Sequence, residues 1–449
     1  MKTRQRWRAP GESAVVARGT AVGLVIRVAG IALAYGAEVA LARLMGPDEY
    51  GLYSLVLAWM MLAALVPPLG LHHAVGRFIP AYMATGDGGR LRGVVKGSLG
   101  LTLGLGVVLA TAAFAFLAGQ ADALALPQPS AWYVGIGLLP LLALLRMVWA
   151  MAIALGRVAV ALAPPLILEP VLVVILAYTA RALGLPVLAT VVLGMAGLAR
   201  GVELIVQGGA LIRRGWPLPG PTRTIYELRA WLAVGVSLLA FDAFNLVLRQ
   251  ADLLLIGAMR PPAEVGIYGA ALKTTGQVTF LLATTNAVIS PLMAAAWARH
   301  DRGRLQRLLY LAAHLSFWPA LAVVLGLSLL ARPVLTLFGP AFVAAAVPLI
   351  ILALGQLVNA ATGVVVALFI VTGQHWRVTG VFGLSAALYV GLTYLGIRFY
   401  GLVGAALATA GIMAFWNIWL SVDAARRLGL QTSIVAAVGE LLRRRLRTG

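Results

Sequence analysis

The chain has 449 residues, of which 61% are hydrophobic and 11% charged, and its formal net charge is +20. A soluble globular domain is about 45 to 50% apolar, so this composition, with a mean hydropathy of +0.94, excludes a water-soluble fold and predicts an all-α, polytopic membrane protein. The chain has no cysteine and five scattered histidines, so we expect no disulfide, no metal site and no cofactor.

Apolar windows of about 20 residues or more, the length that crosses a bilayer as a helix, recur along the whole chain. The N-terminal segment is basic and continues into a window that is too long for a signal peptide, so we expect the first helix to be retained. The windows predict twelve transmembrane helices, at residues 20–42, 51–71, 94–118, 131–154, 158–180, 186–211, 231–257, 265–290, 308–330, 344–371, 378–398 and 401–421.

The basic residues predict how these helices are oriented. Alternate connections, counted from the N-terminus, carry 25 of the 35 Lys and Arg residues, whereas the other set carries five. Cytoplasmic loops are enriched in Lys and Arg, so we expect both termini in the cytoplasm. The positive net charge therefore reports topology, and we expect no nucleic-acid partner.

The second half of the chain repeats the first. Matching residues lie 214 to 217 positions apart: Pro47 and Pro262, Glu49 and Glu264, Gly51 and Gly266, Tyr53 and Tyr268, Arg90 and Arg304, Gly156 and Gly373, and Gly184 and Gly401. The near-constant offset indicates a duplication of the whole first half. Because six spans per copy is an even number, both six-helix lobes enter the membrane in the same direction, which predicts a pseudo-two-fold axis along the membrane normal.

These patterns divide the chain into four segments. We expect an N-terminal lobe at 1–212, a cytoplasmic linker rich in Pro and Gly at 213–229, a C-terminal lobe at 230–425 and a basic cytoplasmic tail at 426–449. The tail fits either an interfacial amphipathic helix or a frayed basic end. The connections are short, so no soluble domain can hold a catalytic site, and we expect no catalytic residue and no enzyme.

Ten ionisable residues fall within the predicted spans, and exposing all of them to lipid would cost on the order of 25 to 35 kcal/mol. They are expected to face protein or water. Helical spacing places Asp242, Asn245, Arg249 and Asp252 on one face of the seventh span, and Lys273 and Gln277 on one face of the eighth. At the 215 offset Arg27 matches Asp242, so the first and seventh helices are expected to line a central polar cavity together.

The candidate substrate-binding residues of this cavity are Arg27, Glu38, Arg146, Arg200, Asp242, Asn245, Arg249, Asp252, Lys273 and Gln277, and the candidate ion-coupling residues are Glu38, Asp242 and Asp252. Structural roles are the alternative. Arg200 with Glu203, and Arg249 with Asp252, are i, i+3 pairs that would neutralise each other. Arg27, Arg146 and Lys273 are near enough to span ends to snorkel.

Several segments together resemble a known family. Residues 42–54 (ARLMGPDEYGLYS), 70–80 (GLHHAVGRFIP) and 86–92 (GDGGRLR), with 338–342 (FGPAF) and 400–406 (YGLVGAA), resemble the Wzx or polysaccharide-transporter type of oligosaccharide flippase. This type belongs to the multidrug/oligosaccharidyl-lipid/polysaccharide (MOP) exporter superfamily. The resemblance implies the MOP fold, a V-shaped pair of six-helix bundles with alternating access.

The resemblance also implies a substrate and a location. The substrate is an undecaprenyl-pyrophosphate-linked oligosaccharide, moved from the cytoplasmic to the outer leaflet of a bacterial or archaeal cell (inner) membrane for surface polysaccharide biosynthesis. The partners would be this lipid-linked substrate, membrane lipids and glycan assembly enzymes, with the protein acting as a monomer. Basic side chains in the cavity suit a pyrophosphate, and acidic and amide groups suit sugar hydroxyls.

Two further transport functions stay open. One is a cation-coupled multidrug exporter of the same superfamily, with Glu38, Asp242 or Asp252 exchanging protons or sodium for an organic cation. The other is a lipid II flippase, which usually has more than twelve spans. A glycan polymerase or ligase would need a long external loop. The sequence has no G-x-x-x-x-G-K-[ST] motif for ATP, so an ion gradient, the membrane potential or a partner is expected to supply the energy.

Overall fold

The computed structural model describes residues 10–124, 126–213 and 223–440, and every regular element in these ranges is helical. The prediction of an all-α protein is therefore confirmed for this part of the chain. The basic residues before position 10, most of the predicted linker and the arginines of the C-terminal tail from Arg443 onward lie outside the described residues.

The first half of the chain folds into eight helices. They are α1 (Pro10–Ala63), α2 (Leu71–Thr85), α3 (Gly88–Leu124), α4 (Pro129–Gly137), α5 (Leu139–Ala154), α6 (Val158–Ala163), α7 (Glu169–Ala182) and α8 (Ala189–Arg213). A π-helical turn at Pro164–Leu168 joins α6 to α7. The turn begins with two prolines, which lack the N–H groups that would continue a regular α-helical ladder.

The second half follows the same all-helical plan. Its helices are α9 (Leu228–Met259), α10 (Pro262–Ala298), α11 (Arg302–Leu329), α12 (Ala331–Thr336), α13 (Ala346–Ala361), α14 (Val365–Val371) and α15 (His375–Asp423), with a 3₁₀ turn at Pro340–Ala345 and a π-helical turn at Ala424–Leu428. Residues 434–440, within the predicted tail segment, are also helical.

Ten helical segments within the described residues are long and apolar enough to cross a bilayer, which makes the chain a multi-pass membrane protein. Two of the ten contain a break. Gly46 (φ 74°, ψ 174°) interrupts α1, and Gly401 (φ 57°, ψ −136°) interrupts α15. Each break falls at the boundary between two spans that the sequence predicts separately. The count of twelve spans stays a prediction.

The chain groups into two units by internal contacts. The first unit comprises Met1–Ala37 with Ala63–Leu238, and the second comprises Glu38–Leu62 with Leu239–Gly449. Helices α1 and α9 therefore contribute to both units. The lobe boundaries at 1–212 and 230–425 follow the duplicated sequence instead, and they stay a proposal.

Each unit has a buried apolar core of its own. In the first unit Trp231 and Met147 are fully buried among residues of α2, α3 and α5. In the second unit Phe369 and Met293 are fully buried in a cluster with residues of α11 and α15. These cores hold the helices that carry the polar side chains described below.

A polar anchor fixes the start of α9 to the first unit. The Tyr82 hydroxyl donates to Glu227 Oε2 at 2.9 Å, and Arg90 Nε donates to Glu227 Oε1 at 2.8 Å. Trp231 Nε1 in turn donates to the Tyr82 oxygen at 3.1 Å. The end of the predicted linker and the start of α9 are thereby held against α2 and the first turn of α3.

Candidate functional site

A cavity of about 490 Å³ lies within the second unit, between the C-terminal part of α1, α9, α10, α13 and α15. This volume falls in the range of about 300 to 1,000 Å³ that is typical of small-molecule sites. Its lining includes the polar residues Ser54, Asn245, Arg249, Gln250, Asp252, Lys273, Asn286, Gln356, Asn359, Thr409 and Asn417, and the aromatic residues Tyr53, Phe382 and Trp416. Four predicted site residues, Asn245, Arg249, Asp252 and Lys273, meet here.

Arg249 lines this cavity with most of its hydrogen-bonding capacity unused. Its Nε donates to Asn245 Oδ1, one helical turn earlier, at 2.8 Å. In the described part of the chain no carboxylate forms an ion pair with it, so the alternative in which Asp252 neutralises Arg249 is not what the structure shows. A guanidinium has five N–H donors, so four of them remain for a ligand.

Asp252 does not pair with Arg249 because hydroxyl groups on other helices surround it. The residue is 1% exposed. The Tyr268 hydroxyl donates to its Oδ2 at 3.1 Å, the Thr409 hydroxyl lies 3.3 Å from the same oxygen, and the Leu253 N–H donates to Oδ1 at 2.8 Å. The Tyr389 hydroxyl lies 2.8 Å from that of Thr409. Asp252 is therefore a buried carboxyl with neutral partners, a chemistry suited to holding a proton or a cation.

Lys273 is the second basic residue of the lining, and its charge is compensated. It forms an ion pair with Glu38 of α1. Glu38 also accepts a hydrogen bond from the buried Tyr50 hydroxyl at 2.8 Å. The pair brings two predicted site residues together across two helices, and it leaves Arg249 as the uncompensated positive charge among the lining residues.

The remaining predicted site residues lie elsewhere. Gln277 is not part of the lining. Its amide donates to the Lys273 carbonyl oxygen on its own helix at 3.2 Å. Asp242 is half-buried on α9, outside the lining. Arg27 and Arg146 are half-buried on α1 and α5 in the first unit, so their role in a shared cavity stays a proposal.

Arg200 belongs to a second polar cluster, inside the first unit. Its guanidinium forms an ion pair of 3.0 Å with Glu169, the first residue of α7. The ion pair of Arg200 is therefore with a residue of α7, and not with Glu203 of its own helix as in the structural alternative. Glu203 is 5% exposed and accepts a hydrogen bond from Gln207 Nε2 at 3.3 Å instead. The π-helical turn before α7 sets the position of Glu169 beside α8.

Two groups of residues in the site are not ionisable within the membrane and were not predicted from the sequence. The first group is the hydroxyls around Asp252, which are Tyr268, Tyr389 and Thr409. The second is the amides of the cavity lining, which are Asn286, Gln356, Asn359 and Asn417. A buried amide also costs free energy without a partner, so amides in apolar windows would have identified α13 and α15 as part of the wall.

Comparisons with known proteins agree with this fold. A family model described as "Polysaccharide biosynthesis protein" matches residues 16–297. No curated protein matches the chain. Among solved structures, an inward-facing multidrug resistance MATE family transporter of the MOP superfamily has a TM-score of 0.75 at 17% identity, covering 92% of this chain and 99% of that one.

Two further solved structures are similar over a comparable length. A MATE transporter of Vibrio cholerae has a TM-score of 0.62 at 13% identity, with 91% of this chain and 98% of that one covered. A MOP superfamily transporter from Pyrococcus furiosus, for which a reversed polarity of the binding pocket suggests a different function, has a TM-score of 0.53 at 16% identity, with 91% and 95% covered. At these identities the likeness shows the fold.

Proposed function

The chain belongs to the polysaccharide biosynthesis protein family, and from this premise we propose that it flips an undecaprenyl-pyrophosphate-linked oligosaccharide from the cytoplasmic to the outer leaflet. It is a member of the MOP exporter superfamily, which supports a transport role by alternating access. The proposed location is the bacterial or archaeal cell membrane, with both termini in the cytoplasm. The sugar itself would pass through unchanged.

The observation that carries this proposal is Arg249 in the wall of the second-unit cavity. It stands in a membrane-spanning helix, where an arginine costs about 2.5 to 3.5 kcal/mol on the insertion scale, without a carboxylate partner among the described residues. Charged residues that cost this much free energy inside a membrane usually have a function. A guanidinium with four remaining N–H donors fits the oxygens of a pyrophosphate, which it can bind in a bidentate manner.

The rest of the lining suits a sugar attached to that pyrophosphate. Amide side chains both donate and accept, as sugar hydroxyls do, and the wall offers several of them on α9, α10, α13 and α15. Trp416 and Phe382 add aromatic surface, with ring centroids 5.1 Å apart. Hydrogen-bonding groups next to apolar rings match the mixed polar and apolar faces of a carbohydrate.

The alternative with an observation of its own is a cation-coupled multidrug exporter. Asp252 is buried and has neutral partners, so it is a candidate for exchanging a proton or sodium ion. An organic cation in the same cavity would, however, meet the uncompensated charge of Arg249, which opposes its binding. A lipid II flippase would carry the same pyrophosphate, and the glycan that accumulates in a deletion strain separates it from the main proposal.

The membrane potential is sufficient as a source of energy in this proposal. Moving one negative charge out of a cell with a negative interior releases about 2.3 kcal/mol per 100 mV, and a pyrophosphate diester carries two. We therefore expect flipping to slow when the potential is collapsed. Flipping that continues unchanged without a potential and without ion gradients would exclude this source.

The test is the topology of the lipid-linked oligosaccharide in a strain that lacks the gene. We expect the oligosaccharide to accumulate on the cytoplasmic leaflet and to return to the outer leaflet with the wild-type gene. Arg249→Ala should restore little export. Arg249→Lys should restore part of it, because the lysine ammonium keeps the positive charge but cannot make the bidentate contact of a guanidinium. Arg181→Ala, at an exposed arginine outside the cavity, is the matched control.

Two results would overturn the proposal. One is normal export by Arg249→Ala at wild-type protein levels, which would make Arg249 structural. The other is a deletion strain with intact surface glycan and lost drug efflux, which would favour the exporter.

A further inference from the structure

We propose that the first unit contains a proton-binding site in which Glu203 takes up the proton, beside Glu169, Arg200 and Gln207. This site is separate from the second-unit cavity, and its existence does not depend on which substrate the protein carries. None of the three candidate ion-coupling residues from the sequence belongs to it.

Glu203 is buried in a membrane-spanning helix and forms no ion pair with a described residue. It is 5% exposed, and Gln207, one turn further along α8, is fully buried. Within the described ranges no basic side chain forms an ion pair with Glu203, and its hydrogen bond comes from the neutral Gln207 amide at 3.3 Å. An ionised carboxylate in such a place loses its hydration without recovering the energy from a cation. Protonation removes that cost.

Gln207 supplies an independent observation. Its Oε1 is buried and has no hydrogen-bond partner among the described residues, although buried acceptors are nearly always paired. The same amide already faces Glu203 through Nε2. If Glu203 is protonated, its O–H can donate to Oε1 after the amide turns over, since the two ends of an amide group are interchangeable in shape. The Gln207 amide can thus donate its N–H to the ionised Glu203 carboxylate, and its oxygen can accept the O–H of the protonated carboxyl.

The net charge of the neighbouring residues also favours the uptake of one proton. Glu169 and Arg200 are charged neighbours of Glu203. The Arg200 guanidinium, however, is already engaged with Glu169 at 3.0 Å. These three residues carry one net negative charge when both carboxyls are ionised. One proton from water brings the group to neutrality.

The other elements packed against α8 add few charges. Arg146 is half-buried on α5, and Arg157, just before α6, donates to the Leu211 carbonyl oxygen at 2.7 Å. On α7 the charged residues are Glu169 and, at the opposite end, Arg181. The sequences of α4, α6 and the π-helical turn contain no Asp, Glu, His, Lys or Arg.

The cluster is less deeply buried at Arg200 and Glu169 than at Glu203 and Gln207. The side chains of Arg200 and Glu169 are 11% and 16% exposed, whereas Glu203 and Gln207 are 5% and 0% exposed. Glu169 follows the π-helical turn and precedes Pro170. Prolines remove backbone donors at this point and π-helical turns are frequent at functional sites, so the regular hydrogen bonding of the helix is interrupted next to Glu169.

The test measures the proton directly on the full-length protein in lipid nanodiscs. Infrared spectra recorded across a pH titration report the carbonyl stretch of protonated carboxyl groups. We expect the wild type to keep such a band at neutral pH and to lose it on alkalinisation, with the Glu203 component absent from Glu203→Gln. Asp48→Asn, which removes an exposed carboxyl on α1, should leave the band unchanged. Asp252→Asn identifies any component from the second-unit cavity.

A second variant keeps the test decisive if Glu203→Gln folds poorly. Gln207→Leu preserves the carboxyl but removes its hydrogen-bonding partner, so the Glu203 component should shift in frequency relative to the wild type. Spectra of Glu203→Gln and Gln207→Leu that match the wild type across the titration would overturn the proposal. Because no transported substrate is needed, this outcome is independent of the flippase experiment.

Discussion

Gly51 and Gly266 pack backbone against backbone in the second unit, and the contact is reciprocal. A Cβ on Gly51 would lie 1.8 Å from the Pro262 carbonyl oxygen and 2.8 Å from the Gly266 nitrogen; a Cβ on Gly266 would lie 2.3 Å from the Pro47 carbonyl oxygen and 3.0 Å from the Gly51 nitrogen. Pro47 matches Pro262 and Gly51 matches Gly266 at the same offset of 215. The two copies of the motif therefore make equivalent contacts with each other.

This contact predicts a large cost for adding one methyl group. In Gly51→Ala the new Cβ meets backbone atoms that no side-chain rotation can move, so we expect a loss of about 1 to 3 kcal/mol, as for other overpacked sites. The control in the same helix is Gly36→Ala, where a Cβ meets no described heavy atom within 4 Å. That change should be neutral or stabilise α1 by about 0.5 to 1 kcal/mol. Thermal unfolding in detergent measures both, and equal effects would contradict the close packing.

The turns before α3 and α11 are copies of each other and have similar backbone geometry, but they differ in the residue at the left-handed position. Asp87 accepts from the Arg90 N–H at 3.0 Å at the start of α3, and Asp301 accepts from the Arg304 N–H at 2.8 Å at the start of α11. The residue before each aspartate is left-handed, with φ of 70° at Gly86 and 56° at His300. A side chain in that region is strained by about 1 to 2 kcal/mol.

We therefore expect His300→Gly to stabilise the protein by roughly 1 kcal/mol, since glycine adopts a positive φ without strain while it also gains entropy in the unfolded chain. The reverse substitution at the matching turn, Gly86→His, should destabilise by a similar amount. Both changes lie at exposed positions, so thermal unfolding reports the backbone effect. A lower stability of His300→Gly would show that its imidazole has a structural role.

The parts of the fold that could be predicted from the sequence are the turns in which a positive φ requires glycine. The repeated glycines Gly156 and Gly373, and Gly184 and Gly401, all have positive φ, between 57° and 76°. They recur at a constant offset because no other residue adopts these turns without strain. The break at Gly46 has no such counterpart, since Pro261 stands at the matching position.

The side-chain partners could not be predicted in the same way. Spacing along one helix suggested pairs within that helix, but Arg200 meets Glu169 on α7 and Lys273 meets Glu38 on α1. Such partners depend on which helices pack together and at what height, and a single sequence carries no signal for either. What spacing did predict is the common face of Asn245, Arg249 and Asp252, because that face is a property of one helix.

The ion pair of Lys273 and Glu38 should contribute little stability but should set the charge of the cavity. Their side chains are 49% and 21% exposed, so solvent screens the attraction. In a double-mutant cycle with Glu38→Gln and Lys273→Gln, we expect a coupling free energy near the lower end of the usual 0.5 to 3 kcal/mol for contacting residues.

The functional effects of the same variants should differ. Glu38→Gln leaves Lys273 uncompensated and makes the cavity more positive, so export of an anionic substrate should persist. Lys273→Gln leaves Glu38 uncompensated and should reduce export. Opposite results would indicate that the substrate is a cation.

The anchor at the start of α9 predicts a specific alkaline effect. Burial, with the neighbouring Glu227 carboxylate, raises the pKa of Tyr82 above its usual value near 10, against the opposing hydrogen bond from Trp231. The folded state thus holds the phenolic proton more tightly than the unfolded state. This contribution to the free energy of unfolding is complete below pH about 10 and is lost as the pH rises through the raised pKa.

Tyr82→Phe should remove this alkaline loss, in addition to a hydrogen bond whose net contribution is about 0.5 to 1.5 kcal/mol at neutral pH. The measurement is the free energy of unfolding of the two proteins at neutral and at alkaline pH, before either unfolds irreversibly. The difference between them should be largest at neutral pH and shrink above pH about 10. Tyr226→Phe, at an exposed tyrosine close to the anchor in sequence, is the control and should leave the alkaline slope unchanged. A difference that grows with pH would show that the Tyr82 hydroxyl does not hold its proton through the anchor.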